Sequence, residues 1–368
     1  MATRREFLQW LAALTATPRI ASAEGGSAVQ PARKRLAILV LGGTGFLGPH
    51  QVRHALDRGH RVTLFNRGRS APGLFGSDVE VLLGDRDARV APGLTALRGA
   101  RRWDVVIDNS GYVPRHVRDS TELLQHRCDR YVFVSTVAAY DAPPGGGRLD
   151  ESAPLRAAPL PETETVSAAT YGALKAECDR TVQARLGRRA TIVRPTFIVG
   201  PGDDTDRFTY WVERAARGGQ ALAPPDPEAS LQWVDVRDLC PWLVELAERD
   251  VSSIFNAAGP SMAWRDVLQV LAAASSRPVE WRWATHEVLQ RTGIALPLVR
   301  PAGRGASLHF DGTRAHAAGL RYRPLADTAA ATLEWWRSQP AERRANPEDW
   351  PSEAQEREAL RLLTATGA

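Results

Sequence analysis

Residues 36–48 read Leu36-Ala-Ile-Leu-Val-Leu-Gly-Gly-Thr-Gly-Phe-Leu-Gly48, an unbroken apolar run followed by a glycine-rich turn. The apolar run has the length of a strand, and because no polar residues alternate within it, we expect a parallel strand buried on both faces. An amphipathic helix is predicted from Phe46 to about Arg58. A strand, a glycine turn and a helix in this order predict an α/β protein with a doubly wound parallel sheet.

The glycines of this turn have distinct mechanical roles. Gly42 permits the tight turn, Gly45 lets the backbone approach a pyrophosphate, and Gly48 lets the helix pack close to the strand. The helix N-terminus offers unpaired N–H groups and a positive dipole end to phosphates. We therefore predict a Rossmann domain whose turn binds a dinucleotide through Gly42, Thr44, Gly45, Phe46, Leu47 and Gly48.

Apolar runs of strand length alternate with segments of helix length as far as about residue 260. Residues 36–202 are predicted to form the nucleotide domain, which residues 231–260 complete. The segments 203–230 and 261–337 are expected to form a smaller C-terminal α/β domain that binds substrate. Residues 338–368 are interpreted as a C-terminal tail.

The second predicted strand ends in Asn66-Arg67-Gly68-Arg69. NAD-preferring enzymes usually place Asp or Glu here to bind both ribose hydroxyls, and this chain has no acid at that point. A guanidinium suits a 2′-phosphate through paired hydrogen bonds and charge. We therefore favour NADP(H) over NAD(H), with Asn66 and Arg67 as contacts and Arg69 as second choice; an ordinary basic loop is the alternative.

Two further segments carry groups suited to catalysis. The fifth predicted strand runs into Ser135-Thr136, and a later helix is predicted to begin near Ala168 and to contain Tyr171 and Lys175. Residues four apart lie on one face of a helix, so the phenol and the ammonium can converge.

This YxxxK spacing can also arise by chance on a surface helix. However, only two of the 47 basic residues are lysines, Lys34 and Lys175. Arginine cannot match a compact ammonium against a ribose and a phenolate, which favours the catalytic interpretation of Lys175.

The glycine turn, the hydroxyl residue after the fifth strand and the YxxxK helix resemble the extended short-chain dehydrogenases/reductases, the NAD-dependent epimerase/dehydratase family. The resemblance covers roughly residues 36–337. It implies that Tyr171 is the general acid/base, its pKa lowered by Lys175 and by the oxidised nicotinamide. It further implies that Lys175 binds the nicotinamide ribose. Thr136, or Ser135 if the register differs by one, would hold the substrate oxygen.

The resemblance also suggests cofactor contacts at other strand ends. Asp85, after the third strand, matches the acid that binds adenine, and Pro195, which ends the sixth strand, lies in the segment beside the nicotinamide. The loop containing Asn109 should pass near the adenine ribose and the pyrophosphate, although Asp108 and Asn109 could equally cap the next helix. Arg194 is interpreted as a structural ion-pair partner.

Substrate is expected in the cleft between the two domains. Arg207, Tyr210, Trp211 and Trp233 are candidates for its walls, and core packing or a surface ion pair is the alternative for each. The Asn-Arg-Gly after the second strand and the Gly-Pro-Gly-Asp-Asp that precedes Arg207 look closer to an atypical branch of the family. That branch includes reductase-like proteins and the chloroplast stem-loop-binding proteins.

The N-terminus resembles a bacterial twin-arginine export signal. Thr3-Arg-Arg-Glu-Phe-Leu8 is followed by an apolar stretch to Ala16 and by small residues at 21–23. A frayed amphipathic helix is the alternative. Residues 1–23 are thus predicted to be removed and 24–35 to be a flexible lead-in. The protein would meet the twin-arginine translocase and reside in the periplasm or outside the cytoplasm.

Composition excludes several other classes. The net charge of +5 is modest, and no basic run would follow a nucleic acid backbone, so no nucleic acid partner is expected. Cys128, Cys178 and Cys240 form no CxxC or Cys/His cluster, so buried thiols are expected, and neither a metal site nor a disulfide framework. A homodimer is plausible by resemblance alone.

The favoured function is an NAD(P)-dependent oxidoreductase that transfers a hydride to or from a secondary alcohol or ketone of a small molecule. A redox-neutral epimerase or dehydratase acting on a sugar-like substrate is the second hypothesis. A catalytically silent nucleotide- or RNA-binding protein is the third.

Overall fold

The computed structural model describes residues 29–143, 145–160, 162–299, 308–347 and 349–365. The predicted export signal, residues 1–23, lies outside this part of the chain, as do the first residues of the predicted lead-in.

The strands of the described ranges are numbered in chain order. They are β1 (Ala37–Leu41), β2 (Arg61–Asn66), β3 (Glu80–Leu83), β4 (Trp103–Asp108), β5 (Cys128–Val134), β6 (Gly147–Leu149), β7 (Ala190–Pro195), β8 (Phe197–Val199), β9 (Gly219–Ala223), β10 (Ser230–Leu231), β11 (Trp233–Asp235), β12 (Ile254–Ala257), β13 (Met262–Ala263), β14 (Val279–Trp283) and β15 (Leu308–Phe310).

The α-helices are numbered in the same way. They are α1 (Leu47–Asp57), α2 (Pro114–Leu124), α3 (Tyr171–Leu186), α4 (Arg207–Arg217), α5 (Val236–Glu248), α6 (Trp264–Ala274), α7 (His286–Thr292), α8 (Thr313–Ala317), α9 (Leu325–Ser338), α10 (Ala341–Ala345) and α11 (Glu353–Ala365). Short 3-10 turns cover Thr95–Leu97, Val137–Ala139 and Gly187–Arg189.

Seven strands form one sheet in the order β12-β7-β5-β4-β1-β2-β3, and every neighbouring pair is parallel. The order reverses direction at β1, which is the arrangement of a doubly wound Rossmann sheet. The predicted fold class is confirmed.

Strand β1 is buried on both faces, as its unbroken apolar run predicts. Ile38 and Val40 pack on the side of α1 and α5, whereas Leu39 and Leu41 pack on the side of α2 and α3. All four side chains are at most 1% exposed. Burial of one such side chain contributes about 1.5–3 kcal/mol, so the sheet is held by helices on both faces.

The three cysteines lie in these packed layers as free, buried thiols, as expected from their spacing. Cys128 begins β5, Cys178 faces the sheet from α3, and Cys240 lies on α5.

A second apolar core joins α4, α6, α11 and the strand pair β9–β14. Trp211 and Trp264 pack at its centre, with ring centroids 4.7 Å apart. The C-terminal helix α11 contributes buried apolar residues to this core, and its Glu356 accepts a 2.8 Å hydrogen bond from Arg214 of α4. The described part of residues 338–368 therefore belongs to the second domain, which corrects its interpretation as a tail.

Candidate active site

A cleft of about 1430 Å³ runs from the glycine turn, along the carboxyl ends of the parallel strands, to the second domain. This is where open α/β sheets bind ligands, because the loops diverge at the point where strand order reverses. The residues predicted for the turn that line the cleft are Gly42, Thr44, Gly45, Phe46 and Leu47.

The glycine turn is shaped as a cradle. Gly42 has φ +87°, a left-handed conformation that favours glycine. A Cβ at Gly48 would collide with the backbone of Gly43, so the close approach that Gly48 permits is to the turn itself rather than to β1. A Cβ at Gly45 would meet no atom within 4 Å, because Gly45 faces the open cleft.

The end of β2 forms one wall of this part of the cleft. The side-chain oxygen of Asn66 accepts a 2.9 Å hydrogen bond from the Gly68 N–H, which fixes the turn. Arg67 and Arg69 are exposed and line the cleft. Asp85 also lines it, and its carboxylate accepts a hydrogen bond from the backbone of Asp87.

Asn109 lines the cleft, but its amide is engaged with Gln51 of α1. The Asn109 amide nitrogen donates to Gln51 over 2.6 Å, and its oxygen accepts from Gln51 over 3.1 Å. The pair ties the end of β4 to α1. The alternative prediction, that Asp108 or Asn109 caps the next helix, is wrong, because the residue that precedes α2 is Val113.

Asp108 is instead the centre of a buried ion network that sequence reasoning missed. Arg86 donates two hydrogen bonds to its carboxylate, of 2.5 and 2.9 Å, and Tyr131 donates a third of 2.6 Å. Although burial opposes ionisation, Arg86 and Tyr131 hold the pKa of Asp108 below its ordinary value. The network joins the loop after β3 to the end of β4 and the middle of β5.

Thr136 and Tyr171 meet at the floor of the cleft. Helix α3 begins at Tyr171 itself, three residues later than predicted. Both side chains line the cleft, and the Thr136 hydroxyl lowers the pKa of the Tyr171 phenol. The same hydroxyl accepts a 3.1 Å hydrogen bond from the Ala138 N–H. Ser135, the alternative, also lines the cleft.

Tyr171 stays protonated far above neutral pH. Burial raises the pKa of Tyr171 to about 12, and the neighbouring Tyr112 adds to the rise. The Thr136 hydroxyl and the positive charge of Arg207 lower the pKa of Tyr171 and so oppose this rise. The predicted lowering by Lys175 is therefore not what governs this phenol in the free protein, because burial outweighs the nearby charges.

Lys175 lies beneath this floor and is 2% exposed. Its ammonium donates hydrogen bonds of 2.8 Å to the carbonyls of Gly111 and Val134 and stands 4.3 Å from the centre of the Phe133 ring. Burial lowers the pKa of this ammonium. Lys175 thus ties the loop after β4 to the end of β5, one helical turn below Tyr171.

The end of β7 forms the floor next to Thr136. Pro195 and Thr196 line the cleft there. Arg194 points to the other side, where it donates hydrogen bonds to Asp179 over 2.8 Å and to Tyr140 over 2.9 Å. It is the structural ion-pair partner that the sequence suggests.

Of the predicted substrate residues, Arg207 lines the cleft. Tyr210 does not: it is 1% exposed and packs edge-on against Trp211 and Trp350 in the second core. Trp233 packs against the same core from β11 and is likewise outside the cleft lining. Both assignments are corrected, since these rings hold the second domain together.

Other side chains form the walls instead. Sequence reasoning missed Tyr112, Arg156, Trp264, His286 and Phe310, all of which line the cleft. Tyr112 lies in the loop between β4 and α2, and this position after a strand of the parallel sheet could have indicated a cleft residue. The others come from distant segments that only the tertiary fold brings together.

Asp87, His116 and Glu164 lie close enough to one another to share a cation. The positive charge of Arg115 already compensates these carboxylates, because it donates hydrogen bonds to Asp87 over 2.7 Å and to Glu164 over 2.6 Å. These contacts hold the pKa values of both carboxyl groups low. We assign the cluster a structural role, in which it ties the loop before α3 to α2.

Residues 38–258, more than half of the chain, match the NAD dependent epimerase/dehydratase family. The chain belongs to this family. Membership makes it an NAD(P)-dependent oxidoreductase or an epimerase/dehydratase.

Among the helices of the described ranges, none has both the length and the apolar character needed to span a membrane.

Three curated relatives match at low identity, and two of them illustrate the range. The 2′-dehydrokanamycin reductase of Streptomyces kanamyceticus is 26% identical over 70% of this chain and 74% of its own length. The chloroplast stem-loop binding protein of 41 kDa b from Arabidopsis thaliana is 27% identical over 60% of this chain. That match spans 58% of the Arabidopsis protein.

Solved structures share the fold. The UDP-glucuronic acid 4-epimerase from Bacillus cereus, in complex with NAD, has a TM-score of 0.62 at 16% identity. The superposition covers 83% of this chain and 99% of that one.

Proposed function

We propose that this protein is an NADP(H)-preferring oxidoreductase that interconverts a secondary alcohol and a ketone of a small molecule, with Tyr171 as general acid/base. The observation that carries the proposal is that Tyr171 and Thr136 both line the cleft that begins at the glycine turn. The effect of the Thr136 hydroxyl on the pKa of the phenol supports it. A proton donor and a second hydroxyl at one point can hold and protonate a single substrate oxygen.

The residues present fit a dinucleotide. The space over Gly45 is open, so a pyrophosphate can lie against the turn and the N-terminus of α1. Arg67 is exposed at the end of β2, where it can bind a 2′-phosphate, and Pro195 would lie beside the nicotinamide. When bound, the nicotinamide donates or accepts the hydride.

The chain's own residues then handle the substrate oxygen. In the reductive direction Thr136 orients the carbonyl, and the Tyr171 phenol donates its proton to the oxygen as the alcohol forms. A phenol with a raised pKa is fully protonated at neutral pH, which suits a general acid. Lys175 donates hydrogen bonds to the carbonyls of Gly111 and Val134. It thereby positions the end of β5, which Thr136 follows.

The test is Tyr171→Phe, compared with Tyr210→Phe as a matched control. Tyr210 is buried outside the cleft and its hydroxyl has no partner within the described residues, so the control removes the same atom without touching the site. With NADPH and a panel of ketones, Tyr171→Phe should lower kcat about 10²–10⁴-fold while the Kd for NADPH stays within about threefold. Unchanged turnover in Tyr171→Phe refutes the catalytic assignment and favours a binding protein.

A redox-neutral epimerase or dehydratase is the second candidate. It is supported by the predicted export signal, because a redox-neutral cycle needs no exchange of cofactor outside the cytoplasm. Deuterium placed on the reactive carbon of NADPH separates the two. Transfer of the label to product with net cofactor oxidation supports the reductase, whereas product formed without net oxidation supports the redox-neutral cycle.

We also propose export by the twin-arginine route, on the strength of residues 3–8 and the apolar stretch that follows them. Replacing both Arg4 and Arg5 by Lys should retain the full-length chain in the cytoplasm in a fractionation experiment, whereas the wild type should be found processed outside it. Equal distribution of the two proteins contradicts this proposal.

A further inference from the structure

Arg207 lies at the substrate end of the cleft, close to the catalytic phenol. It is the first residue of α4, it lines the cleft, and its positive charge lowers the pKa of Tyr171 against the effect of burial. The guanidinium therefore stands where a substrate held by Thr136 and Tyr171 would pass.

The guanidinium is held in place by neutral contacts. Its Nε donates a 2.9 Å hydrogen bond to the Thr205 hydroxyl, and its carbon stands 5.4 Å from the centre of the Phe197 ring. Thr205 is fixed in turn by Asp203, which accepts hydrogen bonds from the Thr205 hydroxyl over 2.6 Å and from the Thr205 N–H over 3.0 Å. The Nε of Arg207 is thus anchored, and its two terminal nitrogens can bind a ligand in the cleft.

Within the described ranges Arg207 makes no ion pair of 4.0 Å or less. Asp203 and Asp204 also line the cleft, and Asp203 is linked to Arg207 through the Thr205 hydroxyl. The buried arginines of this chain behave differently. Arg86, Arg194 and Arg214 each make an ion pair of 2.8 Å or less. A guanidinium that faces a cleft and has no direct bond to a carboxylate within the described residues can accept one from a ligand.

We propose that Arg207 binds a compact anionic group of the substrate, a carboxylate or a phosphate, and so selects oxo or hydroxy acids for reaction at Tyr171. The inference rests on the proposed function and names its substrate class. Apolar side chains contribute to the surrounding wall beside polar ones such as Gln232 and His286, so we expect the substrate to carry an apolar group as well. The apolar residues are Phe197, Leu231, Trp264, Leu298 and Phe310. A bidentate guanidinium bond discriminates an anion from an uncharged group of the same shape.

The test compares probes that share a skeleton and differ in charge. Phenylpyruvate, 4-oxo-4-phenylbutanoate and 5-oxo-5-phenylpentanoate are each titrated against their primary amide and against the matching phosphonate. The protein is the processed chain, loaded with NADP⁺, in the wild type, Arg207→Gln, Arg207→Lys and Arg361→Gln. Arg361 is 65% exposed on α11 and serves as the control for loss of one positive charge.

For at least one skeleton, the wild type and Arg361→Gln should bind an anion about tenfold or more tightly than the amide. Arg207→Gln should reduce that ratio to about one, and Arg207→Lys should retain part of it. Preference for the acid identifies a carboxylate site, and preference for the phosphonate a phosphate site. The proposal is overturned if anions and amides bind equally in the wild type, if neither binds, or if Arg207→Gln keeps the ratio.

Failure of this proposal can be told apart from failure of the proposed function. Suppose that NADPH binds and that Tyr171→Phe abolishes turnover of a ketone, while the acids and amides bind equally well. In that case only the role assigned to Arg207 is wrong. If no dinucleotide binds, both fall together.

Discussion

The two ends of the cleft are built from different materials. The nucleotide end consists mainly of backbone: a glycine turn between β1 and α1, and the ends of parallel strands held together by Lys175 and the Arg86–Asp108 pair. The substrate end consists of side chains contributed by separate segments of the second domain and its connections, among them Phe197, Arg207, Trp264, His286 and Phe310.

The difference separates what the fold supplies from what this chain adds. A turn that exposes N–H groups to a phosphate needs only the absence of side chains, so it serves any dinucleotide enzyme with this sheet. The substrate end needs particular groups at particular positions, so its specificity resides in side chains such as Arg207. Changes at the two ends should therefore have different consequences, and the following variants test that contrast.

The largest effect should come from the ion pair beneath the nucleotide end. Arg86→Ala leaves the Asp108 carboxylate buried without its partner and should cost about 3–5 kcal/mol of unfolding free energy, measured by urea titration. Arg101→Ala removes an arginine that is 43% exposed and paired with Glu80 on the same sheet, and should cost about 1 kcal/mol or less. Equal losses would show that the buried pair does not hold the strand ends.

Two glycine substitutions separate packing from binding. Gly48→Ala drives a methyl group into the backbone of Gly43 and should destabilise the fold by about 1–3 kcal/mol. Gly45→Ala meets no neighbouring atom, so the unfolding free energy should change by less than about 0.5 kcal/mol. Gly45→Ala should nevertheless weaken NADPH binding, because the methyl group occupies the space that the pyrophosphate needs. Unimpaired NADPH binding by Gly45→Ala would place the phosphates elsewhere.

Cofactor preference should depend on the arginine at the end of β2. Arg67→Gln should weaken NADPH by about 10–100-fold and leave NADH within about threefold, because the lost hydrogen bonds go to the 2′-phosphate. Arg118→Gln, on the exposed face of α2, is the control. If Arg67→Gln weakens the binding of NADPH and NADH equally, Arg67 does not bind the 2′-phosphate, and a variant of Arg69 should be measured next.

The smallest effect should be that of pH on ketone reduction. Because burial raises the pKa of Tyr171 to about 12, the acid form persists from neutral pH to about pH 10, and kcat with NADPH should be flat over that range. The rate should fall only as the pH approaches the raised pKa. A decline centred near pH 7 would require a different proton donor.

The sequence predicted the nucleotide end well because its signals are local. Strand-length apolar runs and glycines at fixed spacing determine backbone geometry, and each predicted strand of the main sheet is present. Start positions were less certain: α3 begins at Tyr171 rather than near Ala168, since the preceding residues form turns.

The substrate end could not be predicted in the same way. Tyr210 and Arg207 are three residues apart on α4, yet one faces the second core and the other faces the cleft. Spacing alone does not say which helix face meets which neighbour. The Arg86–Asp108 pair joins two strand ends 22 residues apart, so no local pattern marks it.

The most direct test of the central claim is calorimetric titration of the processed protein with NADPH and, separately, with NADH. We expect one bound NADPH per chain, with an affinity about tenfold or more above that for NADH. Tighter binding of NADH would overturn the NADP(H) preference and retain the enzyme class. If neither nucleotide binds, the proposal that this protein acts as an oxidoreductase is contradicted.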